Sequence, residues 1–201
     1  MSLSREKGAA RRAGAVKLVV SIAMTLAGSA TTAFAAPPAA TAVAASPPAM
    51  PMMVVPRAIA WAESQSVTAL AQGRALTPAQ VALARSVGVG HAETVRIMVV
   101  DRFPLPDDEL VRAAALRIGL DKPTIAGLTL GHAVMVRRGF ENDARLLSHE
   151  LRHVAQYEEA GGIAAFLSKH LVDLARVGYE ASPFEVDARA HERSSLPDPG
   201  A

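Results

Sequence analysis

The stretch Leu146-Leu147-Ser148-His149-Glu150-Leu151-Arg152-His153-Val154-Ala155-Gln156 constrains this chain more than any other. Its apolar residues recur three and four apart, the period of an α-helix that buries one face. Two histidines and a glutamate stand within that run. Positions four apart on a helix lie one turn above each other on the same side. His149 and His153 can therefore offer two imidazole nitrogens to one point, with Glu150 displaced by a single residue. Any fold that buries the leucines must also house these polar groups.

Neutral imidazoles at this spacing suit a divalent metal ion, zinc above all. The sequence has no cysteine, which excludes thiolate ligation and a disulfide framework. A third ligand must then be His, Asp or Glu. Glu150 falls beside the ion rather than on it, where a carboxylate can take a proton from metal-bound water. The metzincin continuation requires Gly at 156 and His at 159. Gln156 and Glu159 stand there instead. Candidates downstream are His170, Glu180, Glu185, Asp187 and His191. Glu185 is preferred, because Pro183 opens a helix and puts it in the first turn; His191 comes next. Asp187 is expected to orient a ligand from outside, and Tyr179 to offer a hydrogen bond to a developing oxyanion. His91 falls in a loop exposed to solvent, and His132 at the start of a strand near the site.

Residues 1–35 read as a signal peptide: a basic start, an apolar run from Leu18 to Ala27, and Ala33-Phe34-Ala35 before a cleavage point. Residues 36–56 carry six prolines and read as an Ala/Pro-rich linker. The folded domain is expected to be 57–201. Residues 1–35 hold five of the 21 bases and one of the 19 acids, so the rest is net −2. That balance gives no basic surface for nucleic acid. The expected location is secreted or periplasmic, with no membrane attachment after cleavage.

Periodicity and turn signals predict helices over 57–73, 77–87, 106–119, 142–159, 163–176 and 183–192. A strand is expected over 93–100 and two short strands over 124–136. This order gives an α+β fold in which a small antiparallel sheet packs on the helix of His149 and His153. The strand Ala133-Val134-Met135 is expected to pair with an extended peptide.

Three segments carry a family resemblance: Gly127–Val136, Leu146–Tyr157 and Pro183–Ala188. They resemble the minimal zincin-like domains of bacteria, a gluzincin-type family of unknown function, over roughly residues 90–192. The resemblance implies a zincin-like fold, a zinc ion, His149, His153 and Glu185 as its ligands, and Glu150 as general base. It implies an exported metallopeptidase acting on a peptide or protein substrate. The other reading is a non-catalytic zinc-stabilised binding module of the cell envelope.

Overall fold

The computed structural model describes residues 53–198. The expected signal peptide and nearly all of the expected linker lie outside them. Six α-helices surround one four-stranded sheet in an α+β arrangement. The helices are α1 (Val54–Gln72), α2 (Pro78–Ser86), α3 (Glu109–Arg117), α4 (Ala144–Ala160), α5 (Ile163–Ala181) and α6 (Pro183–Ala190). The strands are β1 (Arg74–Ala75), β2 (Arg96–Val100), β3 (Gly127–Leu130) and β4 (Ala133–Arg137), and a 3-10 turn at Ala92–Thr94 precedes β2.

The domain begins earlier than the sequence suggested. Pro56 lies inside the first turn of α1, where a missing N–H costs nothing because that N–H has no partner in the helix. Val54 is already buried and packs with Ala58 and Val111.

The sheet runs β1-β2-β4-β3. It is mixed, not antiparallel as expected, because β2 and β4 pair in parallel. The chain leaves β2, crosses through α3 and β3, and re-enters as β4 beside it. A parallel pair needs such a crossover, and α3 supplies it. The order also corrects a second expectation. β4 has a neighbour on each side, so Ala133-Val134-Met135 has no free edge for a peptide. The edge strands are β1 and β3, and at β3 the Thr129 carbonyl accepts a hydrogen bond from the Tyr157 hydroxyl at 3.1 Å. β3 and β4 are joined by Gly131 and His132, with Gly131 at φ 65° as the tight reversal requires. His132 thus lies in the turn, not on a strand.

Alternation along the strands splits the core into two layers. Ile97, Val134 and Val136 face Leu147, Leu151 and Val154 of α4 and Leu83 of α2. Leu128, Leu130, Ala133 and Met135 face α1 and the Phe166, Leu167 and Leu171 face of α5. Helix α4 is therefore pressed along its length against one side of the sheet. Its start is set by Asp143, whose carboxylate accepts the Leu146 N–H at 3.0 Å, and its end by Gly161 at φ 90°. No helix among the described residues is long and apolar enough to cross a membrane.

Replacing Asp143 by Ala removes the cap of the helix that everything else packs on. The expected loss is about 1 kcal/mol of unfolding free energy, read as a lower midpoint in urea. An unchanged midpoint would show that the sheet alone fixes the start of α4.

Candidate metal centre

One turn separates His149 from His153 on α4, and their Nε2 atoms stand 3.1 Å apart. Pro183 starts α6 immediately after α5 ends, and Glu185 in its first turn points back at the pair. Its Oε2 lies 3.4 Å from His149 Nε2 and its Oε1 lies 3.6 Å from His153 Nε2. These three side chains form a buried group able to hold a metal ion. Ligands about 2.1 Å from a tetrahedral ion stand about 3.3–3.4 Å from each other. The three separations here bracket that value.

The outer hydrogen bonds fix which nitrogen of each ring faces inward. Gln156 gives its amide N–H groups to the Phe184 carbonyl at 2.9 Å and Asp187 Oδ2 at 2.7 Å. Its oxygen is thereby turned to His153 Nδ1, 2.8 Å away. His149 Nδ1 faces Glu192 Oε1 at 3.3 Å. Amide and carboxylate oxygens only accept, so each Nδ1 carries a proton and each Nε2 points inward, where a neutral ring offers a lone pair. Two Nε2 atoms and a carboxylate at these distances need a positive charge among them, supplied by a metal ion or, without one, by a proton.

The ionisation of the group follows from that crowding. Burial disfavours charge on His149, but its hydrogen bonds to Glu185 and Glu192 and the charges of Glu150 and Glu185 prevail, raising its pKa to about 9. For His153, burial wins over the pull of Glu185, and the charge of His149 adds to it, so the pKa falls to about 4. Burial would raise Glu185, yet the fields of His153, His149 and His170 hold it at about 2. The metal-free group therefore keeps a second ring proton and a positive charge on His149, beside a negative charge on Glu185.

Glu150 lies on the next face of α4, fully buried beneath β3. The Thr129 hydroxyl donates to its Oε2 at 2.6 Å. Its Oε1 is buried and has no hydrogen-bond partner among the described residues. Burial pushes its carboxyl up to about 7, with His149 and Thr129 opposing. Gly127 of β3 is what lets it fit: a Cβ there would come within 2.2 Å of Oε1.

Other expected residues fall around this centre. Tyr179 hydrogen-bonds to Glu185, and burial pushes its hydroxyl pKa up. It is thus committed to a ligand rather than held apart for an oxyanion. Helix α5 breaks at Gly178, where φ is 75°, just before Tyr179. His170 Nε2 stands 3.6 Å from Glu185 Oε1, its ring packed against Phe166 and Phe184. Asp187 bonds Gln156 and Arg152 and so reaches His153 through the amide. Glu180 is exposed. His191 bonds the Asp187 carbonyl at 2.8 Å and stays outside the group. His91 is exposed in a loop, and His132 pairs with Glu158 at 2.8 Å. Two outer partners were not recognised from sequence. Gln156 carries a signal, since it stands three residues after His153 on the same helix side. Glu192 carries none, being 43 residues from His149.

Comparison with family models, curated proteins and solved structures finds no match to this chain.

Substituting Gly127 by Ala should displace the Glu150 carboxylate and cost about 1–3 kcal/mol, the range for overpacking a tight interior. Urea unfolding measures it. A variant as stable as the parent would show that Glu150 is not pressed against β3.

Proposed function

We propose that the chain is an exported zinc-dependent peptidase of zincin-like type, with His149, His153 and Glu185 as ligands and Glu150 as general base. The inward convergence of two Nε2 atoms and a carboxylate at tetrahedral spacing carries this reading. Two imidazoles and a carboxylate are borderline donors that suit zinc, and three protein ligands leave one position for water or substrate. When bound, zinc polarises a carbonyl and lowers the pKa of its water to about 7.

The protein's own part is proton handling and orientation. Glu150 is titrated near neutrality and has a bare Oε1 to accept a proton from the attacking water, which it can return to the leaving amine. Thr129 holds the other carboxylate oxygen so that Oε1 keeps its direction. Gln156 and Glu192 hold the two imidazoles in the tautomer that faces inward. The likeness of the segments around 127–136, 146–157 and 183–188 to zincin-like domains supports the same reading.

One observation favours a second reading, a non-catalytic module in which zinc only ties helices together. His149, Glu150, His153 and Glu185 are each no more than 2% exposed. A site this closed gives zinc a structural role without need of substrate entry.

The Glu150→Gln variant separates the two. Peptidase action predicts one zinc per chain in both proteins and a fall of several orders of magnitude in peptide hydrolysis in the variant. Equal hydrolysis rules out Glu150 as base, and no turnover by the parent on a peptide library favours the module. Under either reading, a chelator should lower the melting temperature of the parent and leave His149→Ala unmoved. A parent that binds no zinc and ignores the chelator would overturn both.

A further inference from the structure

Segment 191–196 follows α6. It turns back across α4 and is tied there at three points. The Arg193 N–H donates to the buried Ser148 hydroxyl at 2.8 Å. Leu196 packs against the core cluster that holds Leu146, Leu147 and Leu151. Glu192 Oε2 is ion-paired with Arg145. Arg145 and Ser148 both belong to α4, one turn and one residue before His149. The other oxygen of Glu192 is thereby delivered to His149 Nδ1, inside the protein, with the Glu192 side chain only 15% exposed.

We infer that Glu192 is a positioning residue of the metal centre and that segment 191–196 is the strap that holds it on His149. The inference rests on the metal-centre reading above and adds a part of the chain that no ligand motif contains. An acceptor on Nδ1 keeps the proton there and the Nε2 lone pair aimed inward, and a carboxylate raises the donor strength of the ring. His153 has the neutral Gln156 for the same purpose. The two imidazoles are thus held unequally, His149 by a charge borrowed from segment 191–196 and His153 by its own helix. Without the strap, His149 can rotate or take the other tautomer, and one of three ligands is lost in effect though its residue remains.

The test is zinc affinity of the full-length chain, measured by competition with a chromophoric chelator. Outer partners of metal-ligating histidines contribute about 10–100-fold to affinity. Glu192→Ala should weaken zinc by that factor with an unchanged far-ultraviolet circular dichroism spectrum. Glu192→Gln, whose amide oxygen still accepts from Nδ1, should recover most of the loss. Arg145→Ala should fall between, since it frees Glu192 without removing it. Parental affinity in Glu192→Ala overturns the inference while leaving the centre intact. So does a loss in Glu192→Gln as large as in Glu192→Ala, because positioning needs only an acceptor. A parent that binds no zinc removes the centre itself, and the inference falls with it.

Discussion

The structure turns on an ionised carboxylate held between two imidazoles in the interior. Taking Glu185 out of water costs several kcal/mol unless its charge is answered. Among the described residues, His149, His153, His170 and Tyr179 stand near enough to answer it. Each of these is placed by a different packing decision. The two histidines of α4 are set by the leucine face that presses that helix on the sheet. His170 is set by the α5 face that carries Phe166, Leu167 and Leu171 into the core. Tyr179 is set by the break at Gly178. Glu185 itself depends on Pro183, which starts α6 at once and turns its first side chains inward.

That dependence explains why so many polar contacts converge on α4 from far along the chain. Asp187, Phe184 and Glu192 all reach it from the α6 region. Arg152 closes the same seam, bonding Asp187 at 2.6 Å and the Val87 carbonyl at 3.2 Å. A helix that carries buried titratable groups cannot be secured by apolar packing alone. Its unsatisfied donors and acceptors need partners, and buried networks of this kind stabilise only when nearly every member is satisfied.

Much of this was legible in the sequence, and the legible parts share a cause. The helix of His149 and His153 is a local fact, written in a period of 3.6 and closed by Asp143 and Gly161. Glu185 was reachable because Pro183 marks a helix start. The sheet was less legible. Strand positions follow from β-branched runs, but whether two strands pair in parallel depends on which way the chain crosses between them. No residue of β2 or β4 records that choice. The peptide-pairing role expected for Ala133-Val134-Met135 failed for the same reason, since a central strand and an edge strand can have the same alternation. Pro56 was placed at the end of the linker, although a proline in the first turn of a helix is harmless. Glu192 was unreadable because its meaning arises only when the tail folds back.

The residues able to hold an ion come from two helices with α5 lying between them in the chain. An ion held by His153 and Glu185 would join points about 30 residues apart. In chain-entropy terms that is a cross-link, and a loop of this length removes about 3–4 kcal/mol of freedom from the unfolded chain. A protein without a single cysteine would then have its covalent staple replaced by a coordinate one, made and undone by metal supply rather than by oxidants.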